Sequence, residues 1–105
     1  MLSFYIILWN FTEQGIKRVN DCLRSVVIFK ANVKRRGDKY HGTFYPAAHY
    51  DAMSLIQADN DNSVKECVSE AEREGNVQAT TLKPISQEEG KEFEATVHEL
   101  FRITN

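Results

Sequence analysis

The sequence predicts an α+β fold, a four-stranded antiparallel sheet with two crossover helices and an added C-terminal helix. Three observations carry this. Segments with strand-like and helix-like hydrophobic spacing follow one another in the order β-α-β-β-α-β-α. The first and third strands are the most apolar, as the two central strands of such a sheet must be. Gly37, the run "ADNDNS" and Gly75 punctuate the chain between segments. With right-handed crossovers this order is the split βαβ, or ferredoxin-like, arrangement, with both crossover helices on one face of the sheet.

Each element has its own justification. Ser3 to Phe11 is β-branched or aromatic on both faces, with Phe4, Ile6 and Leu8 on one side and Tyr5, Ile7 and Trp9 on the other. Such a strand is covered on both faces. Thr12 can cap a helix whose apolar positions Ile16, Val19, Leu23, Val26, Val27 and Val33 recur at helical spacing, Cys22 and Phe29 lying at the margins. It is expected to run unbroken to Gly37, with Lys34, Arg35 and Arg36 complementing the dipole of its last turn. Lys39 to Tyr45 and Tyr50 to Ala58 read as a hairpin. Asp61 or Ser63 then caps a short helix with the stripe Val64, Cys67, Val68 and Ala71. "NVQATTLKPI" reads as the fourth strand, closed by Pro84. "SQEE", from Ser86, fits a capping box that opens a final helix over 87–103, with Phe93, Val97, Leu100 and Phe101 on one side.

At 105 residues the chain is expected to be a single domain, 1–105, with its core in 3–86. A hydrophobic fraction of 42% and a charged fraction of 27% are those of an ordinary globular chain. A net charge of -2 offers no global field for nucleic acid or an anionic membrane, so neither is expected as a partner. The apolar N-terminus lacks the basic region and cleavage site of a signal peptide. Cys22 and Cys67 have no CxxC spacing and fall on apolar helical stripes, so they read as buried thiols in a reducing cytoplasm.

Two crossover helices cover one sheet face. If Tyr45 pairs with Tyr50 across the hairpin, then Tyr40, Gly42, Phe44, Asp51, Met53 and Leu55 share a face that resembles a core under helices. His41, Thr43, Tyr45, Tyr50, Ala52, Ser54 and Ile56 share the other, to which the first strand adds Tyr5, Ile7 and Trp9. A face so rich in aromatic area needs cover, either from the last helix or from a second copy in a twofold dimer. The expectation is a homodimer through this face.

"NFTEQGIK" after the first strand, "HYDAMSLIQADND" and "GNVQATTLKPIS" together resemble the GYD-domain family of small prokaryotic proteins. The resemblance spans Ser3 to Ser86 and implies a ferredoxin-like, dimeric α/β-barrel fold. Of the signature, Tyr50 and Asp51 are present. The glycine two residues before that pair is Ala48 here, and the acid near the end of strand three is Gln57. The resemblance implies no particular activity, and proteins of the wider fold include monooxygenases, isomerases, cyclases and ligand-sensing modules.

The candidate pocket residues are Tyr50, Asp51, His41, Tyr45 and Trp9. An acid at a barrel mouth orients a ligand hydroxyl or acts as a base, while the structural alternative for Asp51 is a turn acceptor of backbone N–H groups. A histidine projecting into a barrel suits a proton carrier or an axial haem ligand, but nothing in the sequence gives His41 a fixed metal partner. His49 lies at the turn and His98 in the last helix. No metal site or cofactor is expected, since the histidine spacing is not one that binds metal. "KRRGDKYHGTFY" aligns only Gly42 and Phe44 with an RNA-recognition pattern. The leading expectation is a small-molecule-binding dimeric barrel, the alternatives being a small monooxygenase- or isomerase-type enzyme in the same pocket and an interaction module with a packed barrel.

Overall fold

The computed structural model describes residues 2–45, 50–82 and 86–101, the side chains of 97–101 excepted. The elements are β1 (Ser3–Phe11), α1 (Glu13–Ile16), α2 (Val19–Arg35), β2 (Lys39–Phe44), β3 (Ala52–Ala58), α3 (Asp61–Glu72), β4 (Val77–Thr81) and α4 (Gln87–Phe101). The strands form one antiparallel sheet in the order β2-β3-β1-β4, with β1 and β3 central as their composition requires.

The helix expected to run unbroken from Thr12 is divided at Lys17 and Arg18. α1 is tied to the entry of β4 instead of to α2. Thr12 N–H donates to Asn76 O, Thr12 Oγ1 donates to Gly75 O, and Gln14 Nε2 donates to Glu74 O and Asn76 Oδ1. Thr12 also caps α1, accepting from Gly15 N–H. Gly15 is what permits the approach, because a Cβ there would lie 2.2 Å from Asn76 O and 2.5 Å from Cys22 Sγ. At α3 the cap is Asn60, which accepts from Ser63 N–H, in place of the expected Asp61 or Ser63.

The sheet faces are reversed from expectation. Tyr5, Ile7, Trp9, Ala52, Ser54 and Ile56 do share a face, but it lies under the crossover helices, packed on Cys22, Val26, Phe29 and Val33 of α2 and Val64, Cys67 and Ala71 of α3. Trp9 is fully buried and meets Phe29 edge to face at 5.1 Å. A fully buried large side chain of this kind contributes about 2–3 kcal/mol. The polar members of this face are buried because they satisfy one another. Trp9 Nε1 donates to Ser54 Oγ at 2.9 Å, Ser54 bonds to Thr43 Oγ1 at 2.8 Å, and Thr43 bonds to the Tyr40 hydroxyl. Small Ala52, Ser54 and Ala58 let the helices sit close to the sheet.

The second face carries Phe4, Ile6 and Leu55, with Leu8, Met53 and Phe93 of α4 packed against them. Ser86 caps α4 as expected, its Oγ accepting from Glu89 N–H, but Glu89 Oε1 accepts from the Ser86 hydroxyl where a full capping box would take the Ser86 backbone N–H. The helix lies directly on β1, since a Cβ on buried Gly90 would come within 2.2 Å of the Phe4 ring.

Candidate functional site

The β2–β3 register creates the site. Phe44 pairs with Met53, Thr43 with Ser54 and Gly42 with Leu55, and a bulge between Tyr40 and Gly42 then shifts Tyr40 onto Ile56. The hairpin is therefore not closed by a Tyr45–Tyr50 pair. Gly42 takes up the bulge at φ 151, a backbone region that side chains rarely adopt. The one extra residue exchanges two side chains between faces. Tyr40 turns under α2, where Lys30 Nζ sits 5.4 Å above its ring and burial pushes its phenol up. His41 turns onto the second face and stacks on Phe4 with ring centroids 5.2 Å apart.

His41 is enclosed by two acceptor oxygens. Nε2 lies 2.7 Å from Gln57 Oε1 of β3, and Nδ1 lies 2.6 Å from Glu94 Oε2 of α4. The second approach is close but is not an aligned hydrogen bond: Glu94 Oε2 is buried and has no hydrogen-bond donor among the described residues. Both neighbouring oxygens as placed are acceptor atoms, one on each side of the ring. The His41 side chain keeps 22% of its surface exposed. A basic ring, a carboxylate and an amide thus meet on an otherwise apolar face.

The other candidates lie elsewhere. Trp9 faces the helices on the opposite side of the sheet and is core, not a pocket residue; its indole N–H is spent on Ser54. Asp51 is exposed at the far end of the central strands. Its Oδ2 accepts from Phe11 N–H at 2.7 Å, and its own N–H donates to Trp9 O at 2.9 Å. The side chain extends the β1–β3 ladder by one rung, the structural alternative weighed for it. Tyr50 is half-buried beside it and Tyr45 is 52% exposed. Phe4 and Phe11 lie near opposite ends of β1, seven residues or about 23 Å apart at roughly 3.3 Å per residue, so His41 and Asp51 belong to opposite ends of the sheet. Ala48 and His49 lie outside the described residues.

Sequence reasoning missed Glu94, Phe4 and the partnership of Gln57. Spacing does hold a trace of the first, because Glu94 adjoins Phe93 and follows Gly90 by one helical turn, on the stripe that docks α4. Both cysteines are buried, and burial pushes both thiols up. Among the described residues no three His, Cys, Asp or Glu side chains gather where they could hold one metal ion. Nor is any described helix long and apolar enough to cross a membrane.

A family model for the GYD domain matches residues 5–93, from β1 into α4. The chain belongs to the GYD-domain family. In this GYD protein the first signature stretch, "NFTEQGIK", is the segment that fastens α1 to the β4 entry, and the Tyr-Asp pair includes the carboxylate that completes the ladder. No curated protein and no solved structure matches this chain.

Proposed function

We propose that this GYD protein is a small-molecule-binding homodimer whose ligand is held at the second sheet face, with His41, Gln57 and Glu94 as its polar recognition set. The single observation that carries the reading is the contrast within that face: Phe4, Ile6 and Leu55 are buried, Leu8 and Met53 are only half covered, and one polar trio is set among them. Binding sites are mostly apolar surfaces with a few convergent polar groups. A second copy placed over Leu8 and Met53 would turn the half-covered surface into an enclosed one, by a twofold contact that needs only self-complementarity.

Native mass spectrometry of the purified protein tests this. The expected result is a two-chain species, with a retained small molecule that His41→Ala releases and with dimer lost in Met53→Glu. A single chain of 12.1 kDa at micromolar concentration, with nothing bound, would sink the proposal.

A second reading, a proton-transfer enzyme in the same pocket, is favoured by the carboxylate at Nδ1 of His41. A carboxylate in that position orients an imidazole and stabilises its cation when the other nitrogen takes a proton. Gln57 Oε1 would then occupy the place of a substrate's hydrogen-bonding atom at Nε2. Turnover that falls in Glu94→Gln while ligand binding persists separates this reading from simple binding.

A further inference from the structure

Where α1 breaks from α2, the chain leaves a cavity of about 320 Å³, lined by Gln14, Lys17, Arg18, Asp21, Glu74 and Asn76. That volume is at the small end of the range for ligand sites. The cavity belongs to the end of the sheet opposite His41, because Val77, next to Asn76, pairs with Phe11. Two stretches that carry the family resemblance meet in it: "NFTEQGIK" supplies Gln14 and Lys17, and "GNVQATTLKPIS" supplies Asn76.

A buried donor opens into this space without an acceptor. Asn76 is only 5% exposed. Gln14 Nε2 donates to Glu74 O at 2.8 Å and to Asn76 Oδ1 at 3.0 Å. The second bond fixes the Asn76 amide, with Oδ1 toward Gln14 and Nδ2 turned away from it. Among the described residues nothing accepts from Nδ2. Nor is Nδ2 sealed in protein, since Glu94 Oε2 is the only buried side-chain polar atom without a hydrogen-bond partner among the described residues. The donor therefore reaches solvent, and it does so in the cavity that Asn76 lines. Polar groups on residues this buried are ordinarily satisfied, and a bound acceptor would satisfy this one.

The surrounding charges set the sign of that acceptor. Lys17 and Arg18 are exposed at the cavity and have no carboxylate partner among the described residues. The two acids of the lining are engaged from outside it, for Arg24 holds Asp21 at 3.2 Å and Glu74 at 3.6 Å. Three cations thus stand against two carboxylates. The 17-residue α2 also starts here, at Arg18, without a side-chain cap, so the positive end of its dipole adds to the field.

We propose that this cavity binds the phosphate group of a small phosphorylated molecule, with Lys17 and Arg18 supplying charge and Asn76 Nδ2 a fixed neutral donor. A helix start flanked by cations favours oxyanions. A tetrahedral phosphate turns acceptor oxygens toward donors on several sides, whereas a carboxylate holds its two in one plane.

Titration of the full chain with inorganic phosphate at constant ionic strength, followed by amide NMR, tests the assignment. The Asn76 side-chain NH₂ signals and the backbone amides of Val19 and Asn20 should shift together and saturate. Lys17→Gln and Arg18→Gln lie at exposed positions where the fold should survive, and combined they should weaken the fitted constant by about tenfold or more. Glu74→Gln should tighten it, because it removes a carboxylate from the lining; weaker binding in that variant would overturn the anion reading. His41→Ala, at the other end of the sheet, should leave the shifts unchanged, and dependence on His41 would overturn a separate site. Shifts that never saturate, that bypass Asn76, or that saturate equally in the Lys17 and Arg18 double variant overturn the proposal. Saturation of the same amides by acetate at equal concentration overturns the choice of phosphate.

Discussion

Gly90 of α4 rests on the Phe4 ring so closely that a Cβ would come within 2.2 Å of it. That contact, with Phe93 and the Glu94–His41 pair one turn further on, seats the last helix on the second sheet face. Gly90→Ala sets two effects against each other. Alanine raises helix propensity by about 1 kcal/mol, and overpacking against a buried ring costs about 1–3 kcal/mol. Overpacking should win, because the ring is held between α4 and the sheet. The expected outcome is a net loss of stability in urea unfolding, with faster amide exchange along α4. A stabilised Gly90→Ala protein would show that α4 is free to shift.

A second prediction concerns pH. The Tyr5 hydroxyl donates to Asp61 Oδ1 at 2.5 Å, and burial, followed by that bond and the Asp61 charge, pushes its phenol up to about 12. The folded state therefore favours the neutral phenol. Its contribution is fully present below about pH 10, the ordinary tyrosine value, and is lost as pH rises toward the folded value. Two pKa units correspond to roughly 2.7 kcal/mol, but Asp61 is exposed and water screens the pair, so about 1–2 kcal/mol is expected. Unfolding free energies compared at about pH 9 and about pH 11.5 should show a steeper fall in the wild type than in Tyr5→Phe. Equal slopes would remove Tyr5 from the account.

Asp51 yields a third. Its side chain stands in for a ladder carbonyl at Phe11 N–H. The site is exposed, so water replaces part of the bond, and Asp51→Ala should cost about 1 kcal/mol. Asn retains an acceptor oxygen and should cost less. An Asp51→Ala protein more stable than the wild type would mark the carboxylate as one held for function at the expense of stability.

The thiols give the fourth. Cys22 and Cys67 are buried with their pKa values raised by burial, and Cys22 Sγ donates to Asn76 O at 3.4 Å. Reactivity follows thiolate content and access. Native labelling should be slower than labelling in denaturant by about tenfold or more. Rapid native labelling of either residue would signal local opening of α2 or α3.

The sequence by itself determined the element order, the central place of β1 and β3, the Thr12 cap and the Ser86 cap. These depend on local periodicity and on side-chain oxygens within three residues of the backbone they serve. Only the tertiary structure decided which sheet face lies under the crossover helices. Thr43 and Ser54 look polar in sequence, and that made their face read as open, while Tyr40 was expected on the opposite face. Once Trp9, Ser54, Thr43 and Tyr40 bond to one another, the cost of burying them disappears, and the small side chains beside them admit the helices. The site was decided the same way. His41 was visible as a candidate, but its face depends on one extra residue in β2, and a bulge shifts every side chain beyond it. Its carboxylate, Glu94, comes from a helix 53 positions away, brought there because a glycine fits against Phe4 where any larger residue would not.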